Sequence, residues 1–215
     1  MKIDAVILAK STMWGAFCVA GLDVNNDRWV RFVSFEDGDP LADYQLMFMN
    51  SPGSCQPLDV GRISIAREIP KRNHSEDVMI KRDLWLKLGR MTIDDVLKFH
   101  PAEEYRYIFG NDCEYVTEGE MMRLGFRYSL ILVHVQGLSV RYESNRNNIL
   151  KGRAEFSYNG VCYRNIRVTD PEYEHGKGSV NFGEAFLVMS MPVKPFRENG
   201  RYYKLIAKIF TKESR

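Results

Sequence analysis

Alternating apolar and polar residues dominate the first part of the chain and predict a meander of short β-strands. Residues 25–27, Asn-Asn-Asp, supply a turn between two of these strands. Residues 35–57 are rich in Asp, Gly, Pro and Met and have no clean period, which predicts an irregular excursion. The strands predicted from this pattern cover residues 3–8, 16–22, 28–34 and 58–69.

Helical spacing replaces the alternation over residues 70–124 and predicts a helical insertion. Thr92 and Asp95 form a capping-box pattern ahead of an apolar run, and Thr117 and Glu120 repeat it. Two short helices are therefore expected in this segment.

Strand patterns return after residue 125. Asn159-Gly160 stands between two of them and predicts a two-residue type I′ hairpin, since both turn positions need a positive φ. Asp170 precedes Pro171, which is typical of a helix N-terminus, so Asp170 is predicted to cap a helix, with a catalytic acid as the alternative. The predicted strands are residues 129–136, 138–142, 151–158, 161–168, 185–191 and 202–210.

The fold class that follows is mostly β with short helices. An OB-type barrel holds five strands, so the chain has room for two OB-like β-barrels in tandem. Residues 1–125 are predicted to form the first barrel, with the helical insertion at about residues 70–124, and residues 126–215 to form the second.

Composition favours a folded, soluble protein, and we expect it to be cytoplasmic. Hydrophobic residues make up 45% and charged residues 27% of the 215 positions, which supplies a core and excludes wholesale disorder. The chain lacks the apolar region of a signal peptide and any run of about 18 apolar residues. Its four cysteines form no CxxC pair, so neither a disulfide framework nor a zinc site is expected.

The formal net charge of +2 hides an asymmetry between the two predicted domains. Residues 1–125 contain 15 Lys and Arg against 20 Asp and Glu, whereas residues 126–215 contain 15 against 8. A basic half points toward an anionic partner, which nucleic acid, an acidic protein or the chain's own acidic half would satisfy.

No catalytic machinery stands out. The sequence has neither a phosphate-binding glycine loop nor a nucleophile motif, and its acidic pairs fall in first helical turns, where carboxylates favour the helix dipole. No metal, cofactor or catalytic residue is therefore predicted. An enzyme acting on nucleic acid or nucleotide, with His74, Asp77 and Asp170 assembled from distant segments, is kept as an alternative.

Five stretches of the chain form a recognisable succession: FCVAGLD (17–23), RWVRFVS (28–34), LDVGRISIA (58–66), YNGVCYRNIRVTDPEYE (158–174) and FLVMSMPVKPFRENGRYYKLIAKIF (186–210). Taken in this order, they resemble a bacterial family of dual OB-fold domains. The resemblance runs nearly end to end and implies two OB-like barrels in one chain, without implying an activity. Two segments depart from the family's pattern, at residues 11–14 and after Ser190, and both are candidates for ligand-facing loops.

Basic and aromatic side chains interleave on the predicted strands, and this is the chemistry of single-stranded nucleic acid binding. Alternation assigns Val30 and Phe32 to the core of one strand, and Tyr203, Leu205 and Ile209 to the core of the last, which leaves their neighbours facing outward. The outward candidates are Trp29, Arg31, Arg141, Arg153, Arg164, Arg167, Tyr202, Lys204 and Lys208. Strand propensity and protection of sheet edges would explain the same residues without a ligand.

The sequence therefore predicts a non-catalytic binding protein for single-stranded nucleic acid or a nucleotide-like ligand, acting chiefly through a basic second barrel. A protein-interaction module is the first alternative. Single-stranded DNA or RNA and another protein are the two expected partners, and no membrane contact is expected.

Overall fold

The computed structural model of this chain describes residues 1–13, 15–125, 127–144 and 148–211. It divides into two compact units, Met1–Pro101 and a second unit that begins at Ala102. The division lies earlier than the predicted one, because residues 102–125 belong to the second unit. Trp14, the last residue of the segment 11–14 that departs from the family pattern, and residues 212–215 of the predicted second domain lie outside the described residues.

The first unit is a closed ring of five strands. The ring runs β1-β2-β3-β5-β4 and returns to β1, with β3 and β5 parallel and β6 added beside β4. A short 3-10 helix at Asp43–Leu46 lies between β3 and β4. The elements are β1 (Lys2–Met13), β2 (Ala16–Asp23), β3 (Arg28–Val33), β4 (Asp59–Glu68), β5 (Asp77–Ile80), β6 (Leu86–Arg90) and helix α1 (Ile93–Phe99).

The second unit closes a barrel of the same order, with the ring β8-β9-β10-β13-β11 and a parallel pair between β10 and β13. β7 and β12 form a separate two-stranded ribbon, and a 3-10 turn lies at Ile108–Gly110. The protein is thus mostly β, with two OB-like barrels. The elements are β7 (Tyr115–Thr117), helix α2 (Glu118–Leu124), β8 (Leu130–Ser144), β9 (Leu150–Tyr158), β10 (Val161–Val168), β11 (Ser179–Ser190), β12 (Arg201–Tyr203) and β13 (Leu205–Phe210).

Local signals in the sequence place both helices and the hairpin. Thr92 and Thr117 cap α1 and α2 through the predicted capping boxes, each side chain accepting from the backbone N–H three residues on. Asn159 and Gly160 adopt φ values of 48° and 77°, as the predicted two-residue turn requires. The helices are separate, however, with α1 in the first unit and α2 in the second.

The segment before β8 is tied to the second barrel by tyrosine hydroxyls. Tyr163 accepts from the Ile108 N–H at 2.9 Å and donates to the Asn111 carbonyl at 3.0 Å. Tyr158 accepts from the Tyr105 N–H at 2.7 Å. These bonds satisfy buried polar groups on both sides, so residues 102–124 are an integral part of the second unit.

The helix predicted to begin at Pro171 does not form. Residues 171–173 make only a turn, in which the Asp170 carbonyl accepts from the N–H groups of Tyr173 and Glu174. The turn packs over Gly152, where an added Cβ would come within 2.4 Å of the Tyr173 carbonyl oxygen. Asp170 therefore caps a turn, and the chain enters β11 after it instead of continuing as a helix.

The strand predicted over residues 202–210 is broken at Lys204. Residues before the break pair with β7, and residues after it pair with β10 and β11. A second irregularity lies between the pairs of Ile206 and Lys208 with β11. None of the helices in the described part of the chain is long and apolar enough to cross a membrane.

Candidate functional site

Three arginines form a row across the outer face of the second barrel. Arg153 on β9 lies directly opposite Arg141 on β8 and directly opposite Arg167 on β10. Side chains opposite each other in a sheet share a face, and the neighbours Gly152 and Ala154 are buried on the other face. The structure thus brings together three of the predicted site residues, which we call the arginine row.

Carboxylates neutralise the two ends of the arginine row but not its centre. Arg141 lies 2.8 Å from Glu143, and Arg167 lies 3.9 Å from Glu174. Within the described ranges, no carboxylate reaches Arg153 at ion-pair distance. Like charges directly opposite each other destabilise a sheet, so the row costs folding energy unless an anion binds there.

Further cations extend the same face. Arg164 is exposed on β10 and lies 3.3 Å from Glu155, and Arg141 forms a longer ion pair of 3.7 Å with the same carboxylate. Lys151 on β9 pairs with the buried Glu174 at 2.7 Å. The outer surface of β8, β9 and β10 therefore carries five Lys and Arg side chains around three glutamates.

Lys208, predicted to face outward as a candidate for ligand contact, pairs with two carboxylates. Its Nζ lies 3.1 Å from Asp170 and 2.8 Å from Glu172. The Asp170 carboxylate also accepts the Ile209 N–H at 3.0 Å, and burial raises its pKa. The hydrogen bond from Lys208 lowers the pKa of Glu172. Lys208 thus holds the turn at Asp170 onto β13.

The predicted outward orientation is wrong for Arg31, Tyr202 and Lys204. Arg31 is buried and donates two hydrogen bonds to the buried Asp77, at 2.7 and 2.8 Å. Tyr202 faces the core because the break at Lys204 shifts the alternation, so that Tyr203 takes the outer face. The same break turns Lys204 inward.

Lys204 is 1% exposed and fastens the loop before β7. Its Nζ donates to the backbone oxygen and to Oδ1 of Asn111, both at 2.7 Å, and lies 5.0 Å from the centre of the Tyr163 ring. Burial among these neutral groups lowers the pKa of Lys204 to about 7.

Trp29 lies on β3 of the first unit, whereas the arginine row belongs to the second. It is half-buried and packs edge-on against His100, with 5.9 Å between ring centres. Because Arg31, Tyr202 and Lys204 are buried, the nine predicted residues do not form one exposed face. Four of them, Arg141, Arg153, Arg164 and Arg167, lie on one surface of the second barrel.

The ribbon of β7 and β12 carries aromatic residues that strand alternation did not select. Tyr203 lies opposite Tyr115, with 5.9 Å between ring centres, and Arg201 covers the Tyr115 ring at 4.0 Å. Phe196 stands edge-on to Tyr203 at 6.1 Å and is 51% exposed. We call these four side chains the aromatic ribbon. The richness of residues 192–204 in Pro, Gly and basic residues is the sequence signal that marks this loop.

A family model described as the dual OB-containing domain matches residues 3–209. The chain belongs to this family. No curated protein and no solved structure matches it. OB barrels serve in general as binding modules, and the dual OB domain is one in that broad sense.

The charge asymmetry of the sequence does not divide the dual OB domain into an acidic and a basic barrel. Residues 102–211 contain 15 Lys and Arg against 13 Asp and Glu, because the segment before residue 125 brings six acids into the second unit. The excess of basic side chains is instead concentrated on the outer face of β8, β9 and β10.

The residues proposed for an enzymatic alternative are split between the two units of the dual OB domain. His74 and Asp77 lie 3.7 Å apart in the first unit, and both are fully buried. Burial lowers the pKa of His74. Burial by itself would raise the pKa of Asp77, but the neighbouring His74 and Arg31 outweigh that effect, so the pKa of Asp77 lies below its usual value. Asp170 lies in the second unit and contacts Lys208.

Proposed function

We propose that the dual OB domain binds single-stranded nucleic acid, or a nucleotide-like ligand, through the outer face of β8, β9 and β10. The observation that carries the proposal is the arginine row, in which Arg141, Arg153 and Arg167 face outward on three adjacent strands. Adjacent strands lie about 4.8 Å apart, so the row spans about 10 Å. A phosphate backbone laid across it would relieve the repulsion between the three guanidinium groups.

The position of the row supports the same ligand class. In OB barrels the face of the second and third strands takes oligonucleotides, and in the second barrel these strands are β9 and β10. Arginine side chains bind phosphate through two parallel hydrogen bonds and stack on bases, which suits a flexible single strand.

The test is fluorescence anisotropy of a labelled single-stranded oligonucleotide of about 20 nucleotides, titrated with protein at two salt concentrations. We expect affinity to fall steeply with salt, because phosphate contacts release counterions. Arg153→Gln should weaken binding about 3- to 10-fold and reduce the slope of log affinity against log salt by about 0.7. Arg82→Gln, the same substitution at an exposed position of the first unit, is the matched control.

Absence of binding to both DNA and RNA at low salt would contradict the proposal and favour a protein partner. Equal losses for Arg153→Gln and Arg82→Gln would also contradict it, since binding would then follow overall charge and not the arginine row.

A further inference from the structure

The two-stranded ribbon of β7 and β12 is amphipathic, although it is only three residues long. Val116 and Tyr202 lie opposite each other and belong to the core of the second barrel. Tyr115, Arg201 and Tyr203 occupy the other face, because successive strand residues alternate. The core contacts of Val116 and Tyr202 therefore anchor the ribbon, and the Tyr115 and Tyr203 rings lie on its opposite, outer face.

The exposed rings are held at set angles by one another. Tyr115 and Tyr203 meet at an interplanar angle of 62°, and Phe196 and Tyr203 at 86°. Asn199 donates to the Tyr203 hydroxyl at 3.0 Å, which fixes the end of that ring. Arg201 covers the Tyr115 ring and Tyr203 is half-buried, whereas Phe196 is exposed and offers the larger surface to another planar group.

The pairing of β10 with β13 brings the aromatic ribbon close to the arginine row. Leu205 pairs with Arg167, and Tyr203 stands two residues before Leu205. Two extended residues span about 7 Å and paired strands are about 4.8 Å apart, so the backbone of Tyr203 lies within about 12 Å of that of Arg167. A few nucleotides of single strand cover this distance.

The loop that carries the ribbon is also basic. Lys194 and Arg197 are exposed in it, and Arg201 adds a third cation at the surface, against the single carboxylate of Glu198. Rings interleaved with cations are suited to a polyanion that also presents flat, unpaired bases. A duplex hides the faces of its bases, and polyphosphate has none.

We propose that the aromatic ribbon stacks unpaired bases of the strand whose phosphates the arginine row holds, and so makes the domain selective for single strands over duplex. This inference rests on the proposed function. Phe196 and Tyr203 are the stacking residues, and Arg201 supports Tyr115 from above.

The experiment compares three probes on each variant: a labelled oligo-dT of about 20 nucleotides, a duplex of the same length, and inorganic polyphosphate as a competitor. Phe196→Ala should lower affinity for the oligonucleotide about 5- to 100-fold and leave polyphosphate binding unchanged. Tyr203→Ala should do the same, and Tyr203→Phe should retain binding because it keeps the ring. Tyr44→Ala removes an exposed ring from the first unit and is the matched control.

The outcomes separate this inference from the proposed function. If Phe196→Ala and Tyr203→Ala both bind oligo-dT like wild type while Arg153→Gln binds weakly, stacking at the ribbon is wrong and the arginine row stands. If Phe196→Ala loses oligonucleotide and polyphosphate equally, or if wild type prefers duplex, stacking is also wrong. If wild type binds no oligonucleotide, both ideas fail. Phe196 is exposed, so its variant should fold even if Tyr203→Ala does not.

Discussion

Lys204 is the residue at which burial and charge conflict most directly. It lies 1% exposed above the Tyr163 ring and donates only to the neutral oxygens of Asn111, so the pKa falls from 10.5 to about 7. Between these values the unfolded chain binds more protons than the folded chain, and the contribution of Lys204 to the free energy of unfolding therefore rises with pH.

Lys204→Met should remove that part of the pH dependence. Urea denaturation at pH 7 and pH 9 should show wild type gaining about 2 kcal/mol relative to the variant over this interval. Other titrating groups are common to both proteins and cancel in the difference. Parallel pH curves for the two proteins would contradict the assigned pKa.

The burial of His74 predicts a loss of stability at acidic pH. Neither ring nitrogen has a hydrogen-bond partner among the described residues, and burial lowers the pKa below 6.5. The unfolded chain then takes up the proton first as pH falls, so stability should drop below about pH 6.5. His74→Gln should show a smaller loss between pH 7 and pH 5 in urea denaturation, and an unchanged loss would exclude His74 as the cause.

Asp170 makes more contacts than a helix cap does. Its carboxylate accepts from the Ile209 and Glu172 N–H groups and pairs with Lys208, and the residue is 1% exposed. Asp170→Ala should lower the free energy of unfolding by about 2 to 4 kcal/mol, since it leaves buried donors unpaired. Glu172→Ala, at an exposed neighbour, should cost less than about 1 kcal/mol. A stable Asp170→Ala protein would show that these contacts matter little.

At the scale of the strand, the arginine row predicts opposite effects on stability and binding. Arg153→Gln removes the central charge of three facing guanidinium groups and should raise the free energy of unfolding by about 0.2 to 1 kcal/mol. The same variant should weaken oligonucleotide binding. Thermal denaturation of Arg153→Gln beside Arg82→Gln measures the first effect, and a destabilised Arg153→Gln would mean that this side chain mainly packs against its neighbours.

Elements with strong local signals could be predicted from the sequence. The Asn159-Gly160 hairpin and the capping boxes at Thr92 and Thr117 are encoded within a few residues and are confirmed. The short strands β5, β6 and β7 were missed because three to five residues are too few to establish alternation.

The sequence predicted the residues of the candidate site correctly where local strand alternation decides which face a side chain takes, and wrongly where distant contacts decide it. Arg141, Arg153 and Arg167 lie in regularly paired stretches, where alternation assigns the outer face correctly. Arg164 is exposed beside Arg167 only because a register shift between Tyr163 and Ile166 interrupts the alternation of β10. Arg31 lies on a regular strand too, but its pairing with Asp77 depends on a contact 46 residues away. Tyr202 and Tyr203 exchanged places because the break at Lys204 follows from pairing with β7, a distant strand that local pattern does not reveal.

At the scale of the whole molecule, one strand order is used twice without a visible sequence repeat. Both barrels run through the same ring and both place their parallel pair between the third and fifth strands. Inward-facing apolar residues with this connectivity suffice to specify such a barrel, and the outer faces are free to differ.

Binding should be visible as stabilisation of the whole second unit. An oligonucleotide that binds only the folded protein adds about 2.7 kcal/mol to the free energy of unfolding when its concentration is 100 times the dissociation constant. Differential scanning fluorimetry with oligo-dT should therefore show a rise in Tm that disappears at high salt. A rise that persists at high salt would point to a ligand contact that is not electrostatic.

The β7–β12 ribbon has a consequence for the order in which the protein is completed during synthesis. Thr117 cannot form its strand pair until Arg201, 84 positions later, has been synthesised. A nascent chain halted after β10 would already carry all three strands of the arginine row, but β7 would lack its partner and Tyr115 its covering cation. In the proposed binding mode, the cations that attract a polyanion would therefore be synthesised before the ribbon that stacks bases is complete, and selectivity for a single strand would be acquired last.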